Sequence, residues 1–160
     1  GGATLAAAAA GATVTHVDAS KGMVTWAKEN AVSSGLKDAP IRWLVDDCVK
    51  FVEREIRRGN TYDAIIMDPP SYGRGPKGEI WKIEDMIHPL IRLCAKILSK
   101  DALFFLVNSY TTGLAPAVLT YMISTELKSW NGHVDSQEIG LPVTNSGLVL
   151  PCGATGRWTP

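Results

Sequence analysis

Apolar residues along the chain alternate between runs typical of strands and spacings typical of helices. Six short runs rich in apolar or β-branched residues predict strands at 13–17, 41–45, 62–67, 102–107, 133–139 and 147–152. Apolar residues three and four positions apart predict helices at 4–10, 21–34, 48–58, 90–98 and 112–127. Ser20 is a candidate N-cap for the second of these helices. Pro89 is expected in the first turn of the fourth helix or at a kink in it.

This regular alternation predicts an α/β fold with a doubly wound, Rossmann-like and mostly parallel sheet. The run 102–107 is the most hydrophobic, so we expect it at the centre of the sheet. No helix separates the last two strands, which are therefore expected to pair antiparallel. A glycine-rich loop is expected at 71–78, and residues 1–160 are expected to form one domain.

The bulk composition is that of an ordinary globular domain, with 46% hydrophobic and 20% charged residues in 160. Sixteen basic and sixteen acidic side chains cancel, so any nucleic-acid binding would depend on a local basic patch. The three cysteines are far apart and indicate neither a zinc site nor a disulfide framework. No apolar run reaches the roughly 20 residues that span a bilayer. A cytoplasmic protein without membrane or metal partners is expected.

Acidic residues follow three successive predicted strands. They are Asp18, the pair Asp46 and Asp47, and Asp68. Ligands of doubly wound sheets bind beyond the carboxyl ends of the strands, where such residues lie. Asp18 can accept hydrogen bonds from a ribose diol, and the second acid can accept from an adenine amino group. Each acid could instead cap the following helix, but the three together favour a cofactor that contains a nucleoside.

The most specific signal is the run Asp68-Pro69-Pro70-Ser71-Tyr72 after an apolar strand. The two prolines fix φ and lack N–H donors, so they hold the carbonyls around them rigid. A carboxylate beside a fixed carbonyl offers two acceptors to an exocyclic amino group, and Tyr72 offers a ring on which a base can stack. A plain turn is the alternative, since aspartate and proline are common turn residues.

These motifs resemble those of class I S-adenosylmethionine-dependent methyltransferases, especially the group of bacterial large-subunit ribosomal RNA methyltransferases. The run VDASKGMVTWAKEN from Val17 to Asn30 is similar to the ribose-binding segment of that group. Asp47-Cys48 is similar to its acidic motif at the adenine, and DPPSY to its catalytic motif. The resemblance extends over essentially the whole chain. It implies methyl transfer from S-adenosylmethionine to a nucleobase, with ribosomal RNA as the substrate.

The resemblance also implies a role for each matching residue. Gly1 and Gly2 would end the glycine-rich loop beneath the methionine part of the cofactor. Asp18 would bind the ribose hydroxyls, with Ala19 and Ser20 beside the adenine. Asp47 would accept a hydrogen bond from the adenine amino group, and Cys48 would donate its backbone N–H. The methyl acceptor would be held by Asp68, Pro69, Pro70 and Tyr72.

The chain departs from the family pattern in two places. The apolar strand that precedes the glycine loop in the family is missing, which predicts a C-terminal fragment of a longer protein. That strand would lie centrally, between the strands ending at Val17 and Met67. Family members that methylate cytosine carbon use a cysteine where this chain reads Val107-Asn108-Ser109-Tyr110. Carbon-5 methylation through a covalent adduct is therefore not expected. Cys152, expected at the end of the last strand, could substitute for that cysteine, but it is interpreted as a buried structural thiol.

Two other functions fit parts of the pattern. Asp18 would also bind the ribose of NAD in an oxidoreductase, but the complete G-x-G-x-x-G motif is not visible. A non-catalytic module that kept the fold is the second alternative.

The acceptor could also be a protein side chain or a small molecule. Arg74, Lys77 and Lys82 flank the glycine-rich segment and could contact RNA phosphates, and Trp43, Trp81, Trp130 and Trp158 are candidates for an acceptor surface or for the core.

Overall fold

A computed structural model describes residues 1–75 and 78–160 of the chain. The chain divides into two compact units, Gly1–Arg58 and Gly59–Pro160. Within the described residues, no helix is both long enough and apolar enough to span a bilayer. No disulfide joins the cysteines, all of which lie in the described part of the chain.

The first unit contains a parallel two-stranded sheet and three helices. Its elements are α1 Gly2–Ala9, β1 Val14–Asp18, α2 Lys21–Ser33, β2 Ile41–Val45 and α3 Cys48–Arg58. The two strands pair in register from Val14 opposite Ile41 to Asp18 opposite Val45. Helix α2 buries Val24, Ala27 and Ala31, which lie on one face at helical spacing. The predicted cap is confirmed, since Ser20 Oγ accepts a hydrogen bond from Met23 N at 3.4 Å.

The second unit contains a mixed four-stranded sheet with the order β3-β6-β8-β7. Its elements are β3 Ala64–Met67, β4 Tyr72–Arg74, β5 Ile80–Lys82, α4 Ile83–Ala95, β6 Phe104–Ser109, α5 Pro116–Glu126, β7 His133–Pro142 and β8 Val149–Thr159. Strands β3 and β6 are parallel, and β8 pairs antiparallel with both β6 and β7. The predicted antiparallel pairing of the last two strands and the internal position of β6 are therefore confirmed.

The core of the second unit is built on β6 and on helices α4 and α5. Phe105 and Val107 of β6, Ile91 of α4, and Leu119 and Ile123 of α5 have less than 1% of their surface exposed. Alternate residues of β6 are buried, as expected for a strand with one face on the core. This packing holds the carboxyl ends of β3 and β6 in place.

Three local predictions differ from the structure. The expected loop at 71–78 instead contains β4, which pairs antiparallel with β5 from Tyr72 opposite Lys82 to Arg74 opposite Ile80. Helix α4 begins at Ile83, so Pro89 lies in its middle. The predicted position in the first turn is therefore wrong, and the predicted kink stays a prediction. Strand β7 is longer than predicted because its pairing with β8 continues beyond β6 to Pro142, and β8 is longer because it continues to Thr159 along β6 and β7. Strands β1 and β3 belong to separate sheets.

His16 of β1 is packed inside the first unit. Its Nδ1 atom lies 2.8 Å from Thr4 Oγ1, and its ring centroid lies 4.9 Å from that of Trp43. Its buried Nε2 atom makes no hydrogen bond to the described residues. Burial lowers the pKa of His16 below the ordinary value of 6.5, because water cannot solvate the charged ring there.

We expect the free energy of unfolding to decrease as the pH falls below 6.5, since the unfolded chain then gains a proton that folded His16 does not bind. Above that pH the ring is neutral in both states, and its contribution is fully present. His16→Gln should flatten this part of the profile in urea unfolding between about pH 8 and about pH 5. His133→Gln, at the exposed start of β7, is the control and should keep the wild-type slope. A wild-type slope in His16→Gln would contradict the prediction.

Candidate functional site

Three acidic side chains of the first unit meet at the carboxyl ends of β1 and β2. The parallel register places Asp18 opposite Val45, and Asp46 N donates to the Asp18 carbonyl at 3.0 Å. Asp47 follows directly. Two of the three predicted acidic positions are thereby brought together, as expected where parallel strands end at the same sheet edge.

Each of these carboxylates already has a local partner. Asp18 Oδ1 accepts from Ser20 N at 2.7 Å, and Asp47 Oδ1 accepts from Lys50 N at 2.9 Å in the first turn of α3. Asp46 forms an ion pair with Arg54. The capping alternative is therefore observed for Asp47. A carboxylate has about four acceptor sites, so a single cap leaves Asp18 and Asp47 able to accept further hydrogen bonds.

Cys48 begins α3 within the acidic cluster. Its Sγ lies 3.8 Å from the Val17 carbonyl, to which the thiol donates. Burial of the sulfur, followed by the negative charges of Asp18, Asp47 and Asp46, raises the pKa of Cys48 to about 11. The thiol therefore stays protonated at neutral pH and is a poor nucleophile. A contribution of Cys48 through its backbone N–H remains compatible with this geometry.

The other residues predicted to bind a cofactor lie in the same unit. Gly1 is the N-cap of α1, and Gly2 is the first residue of that helix. A Cβ atom added at Gly1 would lie 2.6 Å from Ala27 Cβ, so the backbone approaches α2 more closely than a side chain allows. Ala19 and Ser20 are exposed directly after β1. The cofactor-binding roles of these four residues stay predictions.

The motif from Asp68 to Tyr72 forms the turn after β3 in the second unit. Met67 lies opposite Val107 of β6, so Asp68 follows at the carboxyl edge of this sheet. Partial burial of its carboxyl raises the pKa of Asp68 above the ordinary value. The turn is held to β5 and to α4, since Trp81 Nε1 donates to the Pro70 carbonyl at 2.6 Å and Ile83 N donates to the Ser71 carbonyl at 3.1 Å.

Tyr72 lies on one face of the β4–β5 hairpin together with basic side chains. In the antiparallel register, Tyr72 and Lys82 are opposite each other, and Arg74 shares their face. Arg74 Nε donates to the Tyr72 hydroxyl at 3.0 Å, and all three side chains are exposed. Lys77, the third predicted cation, lies outside the described residues. We call Tyr72, Arg74 and Lys82 the basic-aromatic face.

The positions of Cys152 and of the tryptophans differ in how well they agree with the sequence prediction. Cys152 was predicted at the end of the last strand, which is wrong because β8 continues to Thr159. It lies near the start of β8 and is half-buried, and its Sγ donates to the Ile139 carbonyl at 3.4 Å. Trp158 is buried in the core, and Trp130 Nε1 donates to the Ser99 carbonyl at 2.9 Å. Trp81 is the tryptophan tied to the Asp68 turn.

The turn after β6 was not predicted as part of the site. Buried Ser109 accepts from Thr111 N at 3.2 Å through its Oγ, and Thr111 Oγ1 lies 2.7 Å from Ser71 Oγ. These contacts tie Tyr110, which lies between them, to the motif after β3. The sequence signal is the position of Tyr110 directly after β6, the predicted strand at which the family pattern has a cysteine.

Known proteins resemble the chain in sequence and in structure. No protein-family model matches it. The ribosomal RNA large subunit methyltransferase K/L of Pseudoalteromonas atlantica is 36% identical over 86 residues, which are 53% of this chain and 12% of that protein. The crystal structure of the S-adenosylmethionine-dependent methyltransferase from Agrobacterium tumefaciens matches 100% of the chain with a TM-score of 0.93 and 42% identity. The chain has the fold of S-adenosylmethionine-dependent methyltransferases.

A more distant structural match agrees with this fold. The protein SMU.776, solved in complex with S-adenosylhomocysteine, matches 97% of the chain with a TM-score of 0.75 and 23% identity. The chain spans 53% of the Agrobacterium methyltransferase chain and 41% of the SMU.776 chain. The predicted Rossmann-like methyltransferase fold is confirmed, as is the resemblance to the large-subunit ribosomal RNA methyltransferases. Among the described residues, no group of three or more side chains is arranged to hold a metal ion.

Proposed function

We propose that this methyltransferase domain transfers a methyl group from S-adenosylmethionine to a nucleobase of ribosomal RNA. The observation that carries the proposal is the placement of carboxylates at the carboxyl ends of β1, β2 and β3 in a chain 42% identical to a methyltransferase. The relatives named as ribosomal RNA methyltransferases support the choice of acceptor. One domain over residues 1–160 and a cytoplasmic location belong to the same proposal.

The first unit would hold the cofactor. A ribose diol and an adenine amino group are hydrogen-bond donors, and Asp18 and Asp47 supply acceptors of matching chemistry at the edge of one sheet. The backbone N–H of Cys48 would complete the adenine contact, with Ala19 and Ser20 beside the ring. Gly1 and Gly2 would pass beneath the methionine part. Bound S-adenosylmethionine supplies a methyl group that its sulfonium already activates.

The second unit would hold the acceptor. Asp68 and the Pro69 carbonyl would accept hydrogen bonds from an exocyclic amino group and orient the nitrogen lone pair. Tyr72 would stack on the base. Because the methyl donor is already activated, alignment of the nucleophile contributes most of the catalysis.

Two measurements on the same preparation test the proposal. Calorimetric titration should show binding of S-adenosylhomocysteine and none of NAD. Unmodified large-subunit ribosomal RNA, transcribed in vitro and incubated with tritiated S-adenosylmethionine, should then acquire label in a base. Binding of NAD alone would instead indicate the oxidoreductase. Binding of S-adenosylhomocysteine without transfer to RNA would contradict the proposed acceptor.

The basic-aromatic face gives a quantitative prediction for RNA binding. If Arg74 and Lys82 contact phosphates, the double substitution to alanine should reduce the slope of log affinity against log salt by about 1.4, or about 0.7 per charge. Lys96 and Lys100 are also exposed but lie before the amino end of β6, and their double substitution to alanine is the charge-matched control. Filter binding over a range of salt concentrations measures both slopes. An equal loss of slope in the two variants would refute a specific role for the face.

A further inference from the structure

We propose that Tyr110 binds the methyl acceptor, as a second aromatic residue against which the target base stacks beside Asp68. The inference rests on the proposed function and adds a residue to its acceptor site. It starts from the strand register. Met67 and Val107 are opposite each other in the parallel pair of β3 and β6. Asp68 and Tyr110 therefore follow the carboxyl ends of two adjacent strands.

The side-chain alternation of β6 directs Tyr110 away from the core. Phe105, Val107 and Ser109 point into the buried face, whereas the residues between them are only half-buried. Tyr110 continues this second set and has 53% of its surface exposed. A large aromatic residue that exposed at a strand end is available to a ligand.

One side of the Tyr110 ring nevertheless lies against strand β8. A Cβ atom added at Gly153 of β8 would lie 3.0 Å from Tyr110 Cδ1 and would collide with the Ser109 carbonyl. The absence of a side chain at Gly153 thus lets the ring lie against the backbone of β8. One part of the ring is supported by protein, and the rest is open to solvent. This is the arrangement of a stacking platform.

The backbone on both sides of Tyr110 is anchored as well. Ser109 is 1% exposed and holds Thr111 N through its Oγ. The 2.7 Å contact between Thr111 Oγ1 and Ser71 Oγ joins this turn to the Asp68 motif. A platform fixed in this way loses little conformational freedom when a base stacks on it.

Electrostatics agree with the geometry. Burial, followed by the negative charges of Asp68 and Cys152, raises the pKa of Tyr110 above its ordinary value. The phenol therefore stays protonated at neutral pH and adds no negative charge that would repel RNA.

The experiment measures RNA methylation by the full chain and three Tyr110 variants. Loss of stacking in Tyr110→Ala and Tyr110→Leu should raise the KM for unmodified large-subunit ribosomal RNA between about 5-fold and 100-fold. The affinity for S-adenosylhomocysteine should stay unchanged. Tyr110→Leu keeps bulk against Gly153 and so guards against a folding defect. Tyr110→Phe keeps the ring and should restore the wild-type KM. Tyr121→Ala removes an exposed tyrosine of α5 and is the control that should change nothing.

Each outcome decides the inference. A wild-type KM in Tyr110→Leu overturns it, and so does a Tyr110→Phe variant as impaired as Tyr110→Leu, because the hydroxyl would then be the active group. In both cases wild-type activity leaves the proposed function intact. A wild-type protein that methylates no ribosomal RNA refutes the proposed function and this inference with it.

Discussion

Substitution of Asp68 by alanine is expected to lower kcat for RNA methylation by about 100-fold to 1000-fold, the size of effect seen when one preorganised hydrogen bond to a reacting group is removed. The affinity for S-adenosylhomocysteine should change by a few fold at most, because Asp68 is assigned to the acceptor and not to the cofactor. Steady-state methylation at saturating large-subunit ribosomal RNA measures the first quantity, and calorimetry measures the second.

The same substitution should not destabilise the fold. Burial raises the pKa of Asp68 in the folded state. The folded state thus binds the proton more tightly than the unfolded state, and this contribution to stability is lost as the pH rises through the folded pKa. At neutral pH the ionised carboxylate is therefore an unfavourable group for folding. Its removal should leave the thermal midpoint equal to or above that of the wild type, so the loss of activity cannot be attributed to unfolding.

Asp101→Ala is the matched control, since Asp101 is an exposed aspartate in the turn before the opposite, amino-terminal end of β6. Asp68→Asn keeps the shape and one acceptor oxygen and should fall between wild type and Asp68→Ala. Unimpaired turnover in Asp68→Ala would remove Asp68 from the acceptor site. A parallel loss of cofactor affinity would indicate instead that the turn after β3 also supports the cofactor.

The parts of the fold with strong local signals agree with their sequence prediction. Strand β2 has the predicted bounds, α3 begins at the predicted Cys48, and Ser20 caps α2. A cap depends on residues three positions apart, and an apolar run on its own composition, so neither needs tertiary information. The proximity of the acidic residues after β1 and β2 was predicted correctly for a similar reason, because parallel strands end at a common edge.

The parts that were missed depend on contacts between distant segments. The strands of the β4–β5 hairpin have three residues each, too few for an alternating pattern, and Gly73, Gly75 and Gly78 favoured a loop. The bond between Trp81 and Pro70 spans 11 positions, and that between Ser71 and Thr111 spans 40. Tyr110 enters the candidate site only through such contacts. Residue type and spacing in the sequence carry no information on contacts between such distant segments.

Asp18→Asn is expected to raise the Kd for S-adenosylhomocysteine by about 10-fold to 100-fold, since hydrogen bonds to charged groups contribute about 1.5–3 kcal/mol. Asparagine is preferred to alanine for a structural reason. Asp18 Oδ1 accepts from Ser20 N at 2.7 Å, and the asparagine oxygen can keep this bond. The amide nitrogen then replaces the second carboxylate oxygen and offers a donor where a ribose hydroxyl needs an acceptor. Calorimetric titration measures the change.

Asp46→Asn provides the control within the same acidic cluster. It removes the same charge, but Asp46 is engaged by Arg54 and is not assigned to the cofactor. Both substitutions remove a carboxylate that raises the pKa of Cys48, so both should lower that pKa from about 11, as followed by alkylation rate against pH. Only Asp18→Asn should weaken S-adenosylhomocysteine binding. Equal weakening by both variants would show that the charge of the cluster matters and not a hydrogen bond to ribose, whereas unchanged binding in Asp18→Asn would exclude Asp18 from the cofactor site.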